Sequence, residues 1–454
     1  MAQSYINDYL ELPPKIQLNE ETEFTMELVD KLIKKHEESI GRYETLQNYY
    51  KAKALIYDRQ KDEGKSNNKL VFDFASYIVD TLNGLFVGRP ITYTASDELK
   101  DYLASIQEVL DANDEQDENT EIAKMAGING RAYEVVYVDE DKNICFNEVN
   151  PKNIIFVYDN KIKPEPLMAI YLKAQDTLQE TKTKDATVYT RDKVYELKTG
   201  DDGFYIDSEM VNVFGEVNVI EFMNNDEGIG DFERVISLID EYNLLQSDTS
   251  NDFEEFTDAI LLLYGMLNAN SEDLEKIKSD RVILMDAKSG QDASWLVKQI
   301  NDTALFNYKA SLDDAIHKFS KVPNMSDENF AGNVSGESMK YKLFATDQVI
   351  SQKQRKFNSA LSKRLRLISK ILGLKGKHEE NYKEISINFQ DNRPYNELDN
   401  VTMVQGLLNT GASKTLAFSK LKGIDNVEAE LERQMEEQSA YADIYLRADD
   451  ESVK

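Results

Sequence analysis

The sequence predicts an α+β protein, mainly α, built of several domains. Three observations carry that expectation. Its 454 residues exceed one ordinary core, and such a length corresponds to roughly two to four domains. Apolar residues recur at helical spacing through residues 20–60, 69–86, 99–126, 230–258, 302–319 and 337–372, whereas residues 131–222 alternate with the period of half-buried strands. Hydrophobic content of 41% with 24 Tyr and 19 Phe is ample for packed cores.

Taken in order, Phe24, Leu28, Leu32 and Ile33 mark a first helix, with Asn19 as its expected cap. A polar break, Lys61 to Asn68, ends it. Leu70, Phe74, Ile78, Leu82 and Leu85 form an apolar helix that Gly88-Arg89-Pro90 stops, because the residue before proline is pushed out of helical geometry. The acidic helical region Leu99–Ala126 contains Asp111-Ala112-Asn113-Asp114-Glu115-Gln116-Asp117-Glu118. That run lacks the central glycine and terminal Glu spacing of an EF-hand loop and reads as a solvated face rather than a calcium site. Ala132–Val138 and Ile144–Val149 make a hairpin, and strands follow at 154–158, 167–172, 187–190, 193–197 and 217–222.

From Gly230 the pattern is helical again, through Phe232, Val235, Ile239, Tyr242, Phe253, Phe256 and Ile260. A polar gap, Gln246–Asp252, interrupts it. Periodicity alone favours a surface helix with a solvated face; a channel-facing helix is the alternative. Residues 273–278 read as helix, and 281–285 and 294–297 as strands. Trp295 is expected in core packing, with a subunit-interface anchor as second role. The helix 337–372 carries one stripe, Met339, Leu343, Ile350, Phe357, Leu361, Leu365, Ile368 and Leu372, and would run about 50 Å. Lys363, Arg364, Arg366 and Lys370 near its end have the sign that complements a helix dipole. Short helices and an acidic segment, Glu428–Glu437, close the chain.

Several chemistries find no support. The single cysteine, Cys145, excludes an intramolecular disulfide and CxxC metal sites, and reads as a small buried apolar residue rather than a reactive thiol. Gly411-Ala412-Ser413-Lys414-Thr415 lacks Walker A spacing, and Gly228-Ile229-Gly230 reads as a helix-start turn. His36, His317 and His378 form no HExxH pair, with His36-Glu37 and His378-Glu379 on polar surface segments, and no GxSxG elbow occurs. Neither an enzyme nor a cofactor nor a metal is expected. No apolar run reaches the roughly 18 residues of a membrane span, and the N-terminus shows no signal-peptide pattern, so no membrane role or secretion is expected. The net charge of −30, from 83 acids against 53 bases, argues against tight nucleic-acid binding.

The segment Lys321–Leu343 is a glycine- and asparagine-rich loop that breaks straight into a helix. Its pattern, Pro323-Asn324, Glu328, Phe330, Gly332-Asn333, Ser335-Gly336 and Lys340-Tyr341-Lys342-Leu343, resembles the channel-loop region of tailed-bacteriophage portal proteins of the SPP1-like family. A second block is similar to that family's N-terminal signature: Asn67-Asn68-Lys69-Leu70, Tyr77-Ile78-Val79-Asp80, Gly84, Gly88 and Pro90. Weaker echoes follow in order at Tyr158-Asp159, Phe389 to Pro394, and Gly411 to Leu416.

The resemblance implies a ring at one capsid vertex through which double-stranded DNA is packaged and ejected. Twelve subunits are expected, or thirteen in isolated rings. It implies an N-terminal arm (1–19), a wing (20–228, helical to 130 and β-rich after), a stem helix (229–258), a clip (259–301), a second stem helix (302–319), a tunnel loop (320–336), a long wing helix (337–374), a wing strand or linker (375–394) and a crown with an acidic tail (395–454). Partners implied are the terminase large subunit, a head-completion or adaptor protein, and capsid and scaffolding proteins. The location implied is the virion, after assembly in the host cytoplasm. Lys321, Asn324, Asn329, Asn333, Ser335 and Lys340 are then expected at the DNA, and Asp248, Asp252 and Glu255 on the channel wall. For Lys321 and Lys340, salt bridges to the surplus carboxylates are the competing role. The alternative function is an acidic virion structural or connector protein without a DNA-translocating channel.

Overall fold

The computed structural model describes residues 12, 15–63, 65–173, 185–200, 203–256, 260–264, 292–296, 302–325, 336–376, 381–390, 392, 397–421, 427 and 430–437. It comprises two compact units, residues 1–323 with 345–391, and residues 324–344 with 392–454.

The larger unit opens with β1 (Ile16–Leu18) and α1 (Met26–Tyr50). Thr25, not Asn19, caps α1: its Oγ1 accepts the Leu28 N–H at 3.2 Å, relieving one unpaired donor of the first turn. Asn19 instead closes a turn, its carbonyl accepting from Thr22. The chain then runs through a 3₁₀ turn, Leu55–Asp58, to α2 (Phe74–Val87), capped by Asp73. Leu70 and Phe72, expected within that helix, are extended because their N–H groups bond elsewhere. β2 (Thr92–Thr94) precedes α3 (Lys100–Ala112) and α4 (Glu115–Asn129). The acidic run breaks between these helices at Asp114, whose φ is +48°.

Strands follow: β3 (Arg131–Val138), β4 (Ile144–Val149), β5 (Ile154–Asp159), β6 (Pro166–Leu172), β7 (Ala186–Thr190), β8 (Lys193–Gly200), β9 (Gly203–Val211) and β10 (Val219–Met223). β1, β2 and β9 were not legible as strands; the boundaries of β3 to β8 and β10 agree with the sequence pattern to within three residues. They form a six-stranded sheet ordered β1-β5-β6-β7-β8-β9 and a three-stranded sheet ordered β10-β3-β4. Alternation along β5 sets the layers. Ile155 and Val157 pack with Val29, Leu32 and Ile33 of α1, whereas Ile154, Phe156 and Tyr158 pack with Tyr133, Val135 and Val219 of the smaller sheet. The opposite face of that sheet, through Ala132, Val136, Ile220 and Phe222, joins the main helical core.

α5 (Ile236–Phe256) follows a 3₁₀ turn, Glu233–Val235. β11 (Ile260–Tyr264) pairs antiparallel with β12 (Asp292–Leu296), setting Leu261 opposite Trp295; the sequence-predicted elements at 273–278 and 281–285 lie outside the described residues. α6 (Asp302–Ser320), α7 (Gly336–Leu374) and β13 (Ser386–Asn388), which pairs with β2, complete this region. Ile350, Phe357, Leu361, Leu365, Ile368 and Leu372 of α7 are buried, as the stripe predicted. In the smaller unit, α8 (Glu397–Asn409) and α9 (Lys414–Phe418) meet at Gly411, whose φ of +85° suits the left-handed position of a helix C-terminal motif. The Ala412 N–H reaches the Leu407 carbonyl and the Gly411 N–H the Leu408 carbonyl, while Ser413 Oγ caps α9. The Gly411–Thr415 stretch is therefore a helix joint.

The basic residues late in α7 do not serve its dipole. Arg364 is fully buried, with Nε and Nη2 on the two oxygens of Glu134 at 2.9 and 2.5 Å. Its Nη1 donates to Asn119 Oδ1 at 2.8 Å and Glu115 Oε1 at 3.2 Å, and the guanidinium lies over the Phe146 ring. Arg366 and Lys370 both hold Glu216. A second buried centre joins α1 to the turn before α5: Arg42 grips both Glu233 oxygens at 2.8 and 2.6 Å and donates to the carbonyls of Asn129 and Gly228. Lys353 pairs with Asp231 at 2.6 Å beside it. Here the backbones of 127–130 and 228–231 touch. A Cβ at Gly130, at φ +82°, would collide with the Gly228 carbonyl, and one at Gly230 with the Ile128 carbonyl.

Arg364→Ala and Glu134→Ala should each cost about 3–5 kcal/mol of unfolding free energy, since either leaves a buried charge without its partner. In a double-mutant cycle by denaturant titration the two losses should fall well short of additive. Glu148 lies opposite Glu134 across β3–β4, and the nearby Lys124 only partly offsets the surrounding acids. Burial, then Glu118 and Glu121, push its carboxyl up to about 7. An acid raised in the folded state destabilises once ionised, so its penalty is absent below about pH 4.5 and complete above about pH 7. Glu148→Gln should therefore raise the melting temperature at pH 8 and leave it unchanged near pH 4.

Candidate functional site

The polar gap in α5 has a structural partner. Asn243, Ser247 and Asn251 are buried, four residues apart on one helix face. Asn243 Oδ1 accepts the Phe72 N–H at 2.8 Å, Ser247 Oγ the Leu70 N–H at 2.9 Å, and Asn251 Oδ1 the Asn68 N–H at 2.7 Å. The spacings match, because four helical residues rise about 6.0 Å and two extended residues about 6.6 Å. The helix thus presents a ladder of side-chain acceptors to an extended strand. This accounts for the Asn67–Leu70 signature block, where Asn67 Nδ2 also donates to the Arg59 carbonyl, Asn68 Nδ2 to Glu254, and Lys69 Nζ to the Tyr57 carbonyl.

The charges left on the outer side of α5 are acidic. Asp248 is half exposed and holds Arg59 at 2.7 Å and Lys61 at 3.2 Å, which together keep its carboxyl below the usual range against the opposing cost of burial. Asp252 is partly exposed and Glu254 exposed. Glu255 is described only as a backbone position in α5. The polar stretch that the sequence offered to a water-filled channel therefore divides: Ser247 and Asn251 turn inward, and Asp248 and Asp252 outward. On α6, Leu312 and Ile316 are buried, while Phe306 is 71% exposed and Phe319 is exposed.

The base of the loop at 321 is gripped at three successive carbonyls. Thr346 Oγ1 of α7 donates to the Lys321 carbonyl at 2.7 Å. His317 Nδ1 of α6 bonds the Val322 carbonyl at 2.9 Å, which requires the proton on that nitrogen. The Tyr77 hydroxyl of α2 donates to the Pro323 carbonyl at 2.9 Å. Val322 is fully buried, Lys321 has a φ of +62°, and the Tyr77 and His317 rings meet edge to face. Tyr77 belongs to one signature block and Pro323 to the other, so the two blocks touch in space.

Lys321 is exposed and Asn324 partly exposed. Asn329, Asn333 and Ser335 lie outside the described residues, and Lys340 is described only as a backbone position in α7. His36, expected on the surface, is buried, with Nε2 on the Lys152 carbonyl at 2.8 Å. Cys145 is half-buried rather than buried, and burial and Asp139 push its thiol up, away from reactivity. Neither the Thr346 and His317 grips nor the acceptor ladder was legible beforehand, because single polar residues on helices carry no periodic signal. Among the described residues no cluster of three or more His, Cys, Asp or Glu is arranged to hold a metal, and no helix is long and apolar enough to cross a membrane.

The described residues form a mainly helical α+β subunit with long helices, an acidic α5 and a clamped loop base after α6. The profile of the phage portal protein family of SPP1 Gp6-like type matches residues 29–443, and the chain belongs to that family. It is 23% identical over 443 residues to the portal protein of Bacillus phage SPP1, covering 92% of this chain and 87% of that one. To the portal protein of Clostridium phage phiCD119 it is 22% identical over 356 residues, 74% of this chain and 77% of the other. A chain in the neck of an empty GTA particle aligns over 79% of this chain and 89% of its own, with a TM-score of 0.46 and 11% identity. The role of the protein is that of a portal at the capsid vertex of a phage.

Ser247→Ala, which leaves the Leu70 N–H without its acceptor, should cost about 1–3 kcal/mol by denaturant unfolding. Tyr77→Phe, which removes one donor at the loop base and keeps the ring, should cost about 0.5–1.5 kcal/mol.

Proposed function

We propose that copies of this chain close into a ring of twelve, or thirteen when isolated, whose central channel passes double-stranded DNA in packaging and ejection. In this reading α5 and α6 form the stem, residues 259–301 the clip that receives the terminase large subunit and later a head-completion protein, residues 320–336 the tunnel loop, and residues 395–440 the crown. The rest of 20–228, with α7, forms the wing, which meets capsid and scaffolding proteins. The chain itself is not a catalyst; ATP hydrolysis belongs to the terminase.

The observation that most supports the reading is the clamped loop base. Three grips from three helices hold residues 321–323 where the chain leaves α6, fixing the backbone that precedes the proposed tunnel loop. The electrostatics fit a conduit. A net charge of −30 gives a wall that repels phosphate, whereas a basic groove would hold DNA and slow it. Against that background Lys321 and Lys340 act as weak, rapidly exchanging contacts.

Native mass measurement with negative-stain imaging of the purified protein tests the ring. A closed ring of twelve or thirteen copies, with a hole at least about the 20 Å of a duplex, is the expected result. A species that stays monomeric across salt and concentration would favour the structural protein without a channel. In assembled rings Lys321→Ala with Lys340→Ala should alter DNA conductance through the channel; unchanged conductance would remove these lysines from the DNA path.

A further inference from the structure

β9 is an edge strand that departs from regular pairing at one bulge against β8, where Asp207 is left between the Glu196–Ser208 and Leu197–Ile206 pairs. It is nine residues long, contains no proline, and its only glycine is Gly203 at its start. Its inner side pairs with β8, and no hydrogen bond joins its outer backbone groups to any other described residue. Tyr205, Ile206, Met210 and Val211 are exposed, Val211 at 76%, and Val213 just beyond is exposed too. Asp207 and Glu209 are already paired across the strand with Lys198 and Lys193 of β8, at 2.8 and 2.9 Å. Such an edge ordinarily recruits another strand.

The opposite edge of the same sheet is β1, and the topology sets the relation between the two. β1 is parallel to β5, and four antiparallel pairings carry the direction from β5 to β9. An even number of reversals leaves β9 running the same way as β1. Copies repeated head to tail would therefore bring β9 of one beside β1 of the next as a parallel pair. A pairing of β9 with its own copy would be antiparallel about a two-fold axis and would use up the β9 edges of both copies in a dimer. A cyclic ring built from a single repeated contact requires the heterologous pairing. Pro13-Pro14 lack N–H donors and limit the added ladder to the short stretch from Lys15.

We infer that β9 of each subunit takes β1 of a second copy as a parallel strand, continuing the six-stranded sheet from subunit to subunit. The inference rests on the ring proposed above. Its test uses the full chain with Cys145→Ser, adding Gln17→Cys, Ser208→Cys, or both, and a short bis-maleimide applied after assembly. The double variant should give a ladder of covalent multimers beyond the dimer, and each single variant none. Rings in the native mass measurement without a ladder would overturn the strand pairing and leave the ring reading intact. Dimers from Ser208→Cys alone would overturn it in favour of the two-fold contact, and the absence of rings under all conditions would remove both. Independently, Val211→Lys should cut ring yield at least severalfold while leaving the monomer's circular dichroism and melting temperature unchanged; undiminished yield would count against the edge.

Discussion

The larger unit depends on charges placed where water cannot reach them. Arg364 sits inside α7 with both oxygens of Glu134 from β3, together with Glu115 and Asn119 from α4. Arg42 of α1 holds Glu233 ahead of α5, and Lys353 of α7 holds Asp231 two residues earlier. Desolvating each charge is costly, and only a complete set of partners offsets it. The arrangement therefore tolerates little sliding. A one-turn shift of α7 would move Arg364 by about 5.4 Å and strand three acidic or amide groups. Apolar packing alone discriminates registers less sharply, because one Leu or Ile replaces another at modest cost. In the larger unit these pairs set which helix meets which strand.

A second constraint comes from pitch. The extended segment 68–72 has no sheet to join, yet its amides at Asn68, Leu70 and Phe72 need acceptors. α5 supplies them from Asn251, Ser247 and Asn243, a stripe that works because the helical and extended rises nearly match. This explains how a buried helix face can be polar at its middle. The same economy appears at the loop base, where the carbonyls of Lys321, Val322 and Pro323 are satisfied from α7, α6 and α2. In both places irregular backbone is held by side chains, and irregular backbone that is fully bonded is as firmly placed as a strand.

Much of this was legible in the sequence, and the failures share a cause. Elements with strong periodicity, such as the stripe from Ile350 to Leu372 or the hairpin of β3 and β4, are visible because burial repeats at a fixed interval. β9 was missed because Asp207-Ser208-Glu209 interrupts its alternation, and β1 because three residues are too few to show a period. Glu115 read as solvent-facing inside an acidic run, and Arg364 as a dipole partner. Both readings are reasonable from composition, and both fail because the two residues, 249 positions apart, neutralise each other. His36 failed similarly, since its partner is a backbone carbonyl that no sequence pattern announces. The family blocks at 67–90 and 321–343 were legible as motifs, but their contact through Tyr77 and Pro323 was not.

Charge and assembly place opposite demands on this chain. Thirty net negative charges on each copy favour a channel that does not cling to DNA, but they also drive neighbouring copies apart. Screening softens that repulsion only beyond about 8–10 Å, so contacts at the interface itself must supply the attraction. Interior ion pairs cannot do this, because they are spent within the fold. Apolar and backbone groups on the surface of the larger unit can supply that attraction: the exposed side chains of β9 with its outer edge, and the aromatic side chains of α6 such as Phe306 and Phe319. Strand pairing suits the role particularly well, since its hydrogen bonds are directional and act at separations where like charges elsewhere are already screened.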